Sequence, residues 1–324
     1  MASMDPMSPH ILRNVIDVCI VGAGPAGLSA ALTLGRVVRS VVVLDTGVHR
    51  YGALSEAHLP GDNDEAALIR SGMRAEVQRK YKTITFAKAG AKNIRKIGPI
   101  FEVEDDTGRL WKGRKVILAT GCKTVAPSIP GYTESWGRGI FDCLHRRGFE
   151  HFGVSSAAVL VTPSSKSWLP DAMSHARLAK QFSTKVSILT NGLEASNEIL
   201  EAAESQNFRI EKREIRRLKT VGYGDDSSMA VEFEDGSTSS FGFLFHKPET
   251  IFSGDFAAQL GLQSTESGEI LISGTMQETS ERGVFAAGDC ASPVKQVSVA
   301  MGAGSVARVG ANAQILQDDY EQPW

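Results

Sequence analysis

The densest chemistry in the chain sits in the stretch FDCLHRRGFE, where Cys143 is followed by His145, Arg146 and Arg147. Cationic neighbours favour thiolate over thiol, and the thiolate is the nucleophilic form of a cysteine. Such a group can open a disulfide, form a mixed disulfide and be released by a second thiolate. His145 is of the residue type that titrates near neutrality, which suits proton transfer at that sulfur. Arg146 could hold an anionic substrate or stabilise developing negative charge. The alternatives stand beside these: Cys143 as a half-buried loop residue, and Arg146 as a surface partner of Glu150.

A second pattern lies near the start. VGAGPAGLSAA sets Gly22, Gly24 and Gly27 in G-x-G-x-x-G spacing, with Pro25 and Ala26 between the last two. The first glycine permits a tight turn, the second lets a pyrophosphate approach the backbone, and the third lets helix and strand pack closely. The positive end of the helix dipole then faces the phosphates. Asp45 ends the next apolar run, roughly 20 residues further on, where a carboxylate can bind a ribose hydroxyl pair. Its alternative reading is a strand-end carboxylate in solvent.

These residues need elements to position them. VIDVCIVG (15–22) reads as a buried parallel strand, AGLSAALTLGR as a helix and SVVVLD as a second buried strand. Residues 64–82 read as a helix, and FEVEDDTGRLWKGRKVILATG as a hairpin leading into another buried strand. The Pro- and Gly-rich APSIPGYTESWGRG reads as an inter-domain connection. Beyond it the pattern predicts a strand at 157–162, a helix near 171–182, a strand at 185–190, a helix near 194–206 and β-like segments over 209–245. SFGFLFHKPE reads as the returning connection and VSVAMGAGSVARVGANAQILQ as a final helix. The expected fold class is α/β, with a Rossmann-like domain (1–125 and 247–324) interrupted by a second dinucleotide-binding-type domain (126–246).

Composition narrows the function. At 324 residues, with 42% hydrophobic and 22% charged residues, the chain has the make-up of a soluble globular protein. A net charge of −2 gives no reason to expect a nucleic-acid partner or an anionic membrane. No apolar run approaches the roughly 20 residues that span a bilayer. MASMDPMSPHILRN lacks a basic-then-apolar signal pattern, so a cytoplasmic location is expected. Cys19, Cys122, Cys143 and Cys290 lie far apart, with neither metal-ligand spacing nor a disulfide framework, and no metal is expected. Cys19, Cys122 and Cys290 read as structural.

VILATG (116–121) and TSERGVFAAGD (279–289) resemble the paired fingerprints of two-dinucleotide-domain flavoproteins. Together with VGAGPAGLSAAL, VVLDTG, FDCxxxxGFE and FAAGDC, they make the chain resemble the low-molecular-weight thioredoxin reductases. Within that group it is most similar to the fungal FAD-dependent dithiol oxidases of gliotoxin-type epidithiodioxopiperazine biosynthesis. The resemblance implies FAD as cofactor, a homodimer and a cytosolic setting. It places Asp289 on the ribityl chain, and Gln296 and Val297 at the start of a helix whose dipole stabilises negative charge on reduced flavin. Thr46, Arg50 and Gly121 join the expected cofactor set, and His58 in EAHLPGDN falls near a flavin-contacting asparagine of the reductases.

The departures matter as much. Where a nicotinamide-using relative carries a second glycine fingerprint, the turn reads TPSSKS, with Pro163, Ser164 and Ser165. One strand later ILTNGLEA offers no cation for an NADP phosphate. Nicotinamide binding is therefore expected to be lost, as in the fungal oxidases, which pass electrons to oxygen. Against the family's Cys-x-x-Cys-His/Asp-Gly pattern, Cys143 matches the outer, substrate-attacking cysteine. Arg146 stands in place of the inner, flavin-contacting one, and Arg147 at the acid/base position. A dithiol-to-flavin relay needs both sulfurs. Three readings stay open: an FAD enzyme that forms or rearranges a disulfide in a sulfur-bearing dioxopiperazine or similar small thiol; a flavin oxidase or dehydrogenase for a substrate without sulfur; and a redox-dead FAD-binding protein.

Overall fold

Apolar runs without polar alternation become central parallel strands, covered on both faces. They do so here in a computed structural model that describes residues 15–48, 50, 65–162, 168–222 and 227–321. The first stretch gives β1 (Val15–Val21), α1 (Pro25–Arg36), β2 (Val41–Leu44), α2 (Glu65–Lys80), β3 (Ile84–Ala87), β4 (Ala91–Ile97), β5 (Ile100–Asp105), β6 (Leu110–Leu118) and β7 (Cys122–Thr124). The middle stretch gives α3 (Tyr132–Ser135), β8 (Ile140–Phe141), α4 (Leu144–Arg147), β9 (Val154–Leu160), α5 (Trp168–Ala179), β10 (Ser183–Leu189) and α6 (Asn197–Ser205). It continues through β11 (Phe208–Glu211), β12 (Ile215–Val221), β13 (Ser228–Phe233), β14 (Thr238–Phe241) and β15 (Phe243–Phe245). The chain ends with β16 (Thr250–Phe252), α7 (Phe256–Gln259), β17 (Val284–Ala286) and α8 (Val297–Glu321).

Two compact units result, one from the described residues up to Lys123 and from Phe252 onward, the other from those of Thr124–Ile251. In the first, the sheet runs β3-β2-β1-β6-β5-β4, with β17 also beside β6. β3, β2, β1, β6 and β17 are parallel, while β5 and β4 extend the sheet antiparallel. Residues of α1 and α8 bury one face, among them Leu28, Leu34, Ala307, Ala311 and Ile315. Each fully buried leucine there contributes about 1.5–3 kcal/mol. The helices approach so closely that a Cβ on Gly304 would overlap the Ala26 carbonyl.

In the second unit five parallel strands run β11-β10-β9-β15-β8, and β12-β13-β14 form a separate antiparallel sheet. Two sequence expectations change here. SFGFLFHKPE is no connection: Phe243–Phe245 form β15, which lies between β9 and β8 with all three residues buried. Likewise APSIPGYTESWGRG contributes Tyr132 and Trp136 to the core beneath β12 and β13. In both stretches Gly and Pro punctuate the sequence, but the aromatics between them decide where the chain goes.

Candidate active site

Because β1, β2, β6 and β17 run parallel, their C-terminal ends share one edge of the first sheet, where ligands of open α/β folds bind. Gly22 leaves β1 with φ +107°, and a Cβ there would strike the Ala119 carbonyl. Gly27 lies against the carbonyl of Gly22 in the same way. Gly24 differs. It is the N-cap of α1 at φ −72°, which any residue tolerates, and a Cβ there would meet nothing within 4 Å. Neither packing nor backbone conformation requires that glycine. The open face at the helix N-terminus fits a pyrophosphate, with Pro25 at the first helical position and Ala26 buried behind it.

The other expected cofactor residues of this unit gather at the same edge. Asp45 follows β2, is 8% exposed and accepts from the Gly47 N–H at 2.9 Å. It also pairs with Arg74 of α2. Thr46 Oγ1 accepts from the Val48 N–H at 3.1 Å. Gly121 turns the chain after β6 at φ +66°, and Gly288 does so after β17 at φ +82°. Asp289 accepts from Arg50 Nη1 at 2.9 Å, with Cys122 Sγ 3.8 Å away. Burial pushes the Cys122 thiol up to about 11, which keeps it protonated. Lys295 Nζ fixes the loop between Asp289 and α8, donating to the Asp289 carbonyl at 2.7 Å and to Glu269 Oε1 at 3.2 Å. Gln296 directly precedes α8, which starts at Val297. The glycine cradle at the start of α1, the acceptor carboxylates of Asp45 and Asp289, and the N-terminus of α8 are groups whose chemistry fits FAD.

Cys143 and His145 belong to the second unit. Cys143 is the extended N-cap of the short α4 and is partly exposed. His145 is exposed and Leu144 beside it is buried. His58, the side chains of Arg146 and Arg147, and residues 163–167 of the TPSSKS turn lie outside the described residues.

At the second unit's own strand edge, several described side chains bond to one another or to the backbone. Thr162, two residues past β9, is 3% exposed and lies 3.3 Å from His246 Nε2 through Oγ1. His246, just past β15, places Nδ1 2.7 Å from Tyr132 Oη. Unlike Gly22, Thr162 does not adopt positive φ. Past β10, Thr190 is fully buried and donates to the Leu193 carbonyl, while Asn191 Oδ1 accepts from the Ile215 N–H at 2.7 Å. Residues at both turns therefore bond to protein. Sequence reasoning missed this chain because Tyr132, Thr162 and His246 meet only once β15 enters the sheet.

Burial, with His175 nearby, holds His246 down to about 3 instead of 6.5. Between those values the unfolded chain binds a proton there that the folded chain does not. Stability from this site is complete above pH 6.5 and falls as the pH drops toward 3. The slope is about 1.4 kcal/mol per pH unit. The variant His246→Gln is therefore expected to show a flatter dependence of Tm on pH across the mildly acidic range, checked by thermal unfolding at matched ionic strength.

Comparison with known proteins agrees with this geometry. The family profile described as pyridine nucleotide-disulphide oxidoreductase matches residues 16–304. The chain belongs to that family. It is 40% identical over 317 residues to the thioredoxin reductase sirT of Leptosphaeria maculans, covering 94% of this chain and 96% of that one. It is 36% identical to the thioredoxin reductase tcpT of Claviceps purpurea, covering 94% and 96%. Among solved structures, HlmI superposes with a TM-score of 0.82 at 28% identity, covering 95% of each chain. An oxidoreductase from Agrobacterium tumefaciens gives 0.78 at 29%, covering 93% and 98%. The fold is that of the family, a FAD-type Rossmann domain with a second, NAD(P)-type domain inserted. Family members of the thioredoxin reductase type bind FAD, and this chain is an FAD-dependent oxidoreductase. Among the described residues no group of His, Cys, Asp and Glu is arranged to hold a metal, and no helix is long and apolar enough to cross a membrane.

Proposed function

We propose that this oxidoreductase forms or rearranges a disulfide in a small sulfur-bearing substrate, of the dioxopiperazine class, without NADPH and without a Cys-x-x-Cys relay. The observation that carries this reading is Thr162, buried and bonded to His246 where the first unit needs Gly22. The first fingerprint position must allow a tight turn, and Thr162, unlike Gly22, does not adopt positive φ and is tied to His246, which supports loss of the dinucleotide turn. The single accessible thiol supports the same reading.

Cys143 thiolate attacks one sulfur of a substrate disulfide, the S–S bond breaks, and a mixed disulfide and a substrate thiolate result. A substrate thiolate then attacks the substrate sulfur of that mixed disulfide, the new disulfide forms and Cys143 leaves as thiolate. No electrons are gained or lost, and His145 holds the proton that the thiol gives up. When the substrate enters as a dithiol, FAD, which Gly24, Asp45 and Asp289 would hold, would supply the two-electron acceptor, with molecular oxygen as the terminal oxidant. In this proposal the enzyme works as a cytoplasmic homodimer, the form its resemblance implies.

Anaerobic absorbance of the FAD-loaded protein tests it. NADPH is expected to leave the flavin band unchanged and a dithiol dioxopiperazine to bleach it. Bleaching by NADPH would overturn the proposal, and a flavin that neither reagent reduces would remove its oxidative branch.

A further inference from the structure

We propose that Arg74 is a positioning residue for the adenosine end of FAD, holding Asp45 so that its carboxylate presents its remaining acceptor directions to the ribose diol. This rests on the reading of Asp45 as the ribose-binding acid.

Two oxygens on Asp45 are each engaged once: Oδ1 by the Gly47 N–H at 2.9 Å, Oδ2 by Arg74 Nη1. An ionised carboxylate has about four acceptor directions, so about two remain, the number a vicinal diol can fill as donor. The Asp45 backbone is fixed as well, since its N–H donates to the Ala87 carbonyl of β3 at 3.0 Å. Arg74 is itself held, its guanidinium carbon 4.4 Å from the centre of the Phe86 ring. With an Asp45 side chain only 10% exposed, an unpaired carboxylate would turn toward whatever donor it found. Arg74 is one-third exposed, so packing alone gives no reason for an arginine there.

The test uses the full-length chain stripped of FAD. Binding of FAD is read by flavin fluorescence, and binding of ADP and 2′,3′-dideoxy-ADP by calorimetry. Arg74→Met keeps an unbranched apolar chain at that position and loses the fork, and it is expected to weaken FAD and ADP about 10-fold. Arg74→Lys restores part of that loss. Dideoxy-ADP, which offers no diol, is expected to bind the native and Arg74→Met proteins equally. Equal weakening of ADP and dideoxy-ADP would overturn the positioning role, as would unchanged or tighter FAD binding in Arg74→Met. Asp45→Asn separates the two readings: if it leaves FAD and ADP affinity unchanged, the ribose assignment itself fails, whatever Arg74 does. Thermal unfolding of each apo variant confirms that the comparison is between folded proteins.

Discussion

Cys143→Ser is expected to lower turnover of a sulfur substrate by at least about 1,000-fold, the scale on which removing a covalent nucleophile slows an enzyme. FAD content should be unchanged, because every proposed cofactor-binding residue in the described structure lies in the first unit, outside Thr124–Ile251. The reason is an elimination among sulfurs. Cys19 is fully buried, and burial pushes its thiol up to about 12. Cys122 is pushed up to about 11 by burial, with the Asp289 carboxylate adding to it. Cys290 is fully buried and also raised. Thiolates at those three positions are costly, whereas Cys143 alone is partly exposed. A disulfide substrate trapped on the native protein should give a mass increase at Cys143 and none in the serine variant. Full turnover by Cys143→Ser would end the sulfur reading and leave a flavin enzyme of carbon substrates in its place.

Much of the first unit is legible because its signals are local. A strand, a glycine turn and a helix occupy adjacent residues, and the second strand with Asp45 follows at once. What was not legible depends on distant pairing. Nothing in the sequence of α2 distinguishes Arg74 from Arg70 or Arg79, and only the placement of α2 beside β2 and β3 gives it Asp45 and Phe86. The reading of SFGFLFHKPE as a connection had a physical cause too. β15 is three residues long and flanked by Gly242 and Pro248, so turn chemistry outweighs a strand signal that short. Its place between β9 and β8 comes from burial on both faces, which a linear pattern does not register. The site around Cys143 is legible as chemistry and not as geometry: residue types suggest an activated thiol, but which groups face it is a tertiary property.

The glycine cradle gives the sharpest separation of fold from function. Gly22→Val should prevent folding: Gly22 sits at φ +107°, and a side chain there would run into the Ala119 carbonyl of the neighbouring loop. Gly24→Asp should do the reverse. Its φ of −72° and ψ of −177° are ordinary for an aspartate, no atom lies within 4 Å of the new Cβ, and α1 has no side-chain cap to lose. Aspartate is among the best N-cap residues, worth a few tenths of a kcal/mol over glycine. Its carboxylate would bond the first helical N–H groups, the donors that a pyrophosphate needs, and repel the phosphates besides. The apoprotein is therefore expected to keep or slightly raise its Tm, while FAD affinity falls by about 100-fold or more, two interactions of roughly 1.4 kcal/mol each. Thermal unfolding and flavin retention on gel filtration read the two effects independently. A Gly24→Asp protein that stays yellow would mean that the phosphates are held elsewhere, and one that unfolds would mean that Gly24 serves packing after all.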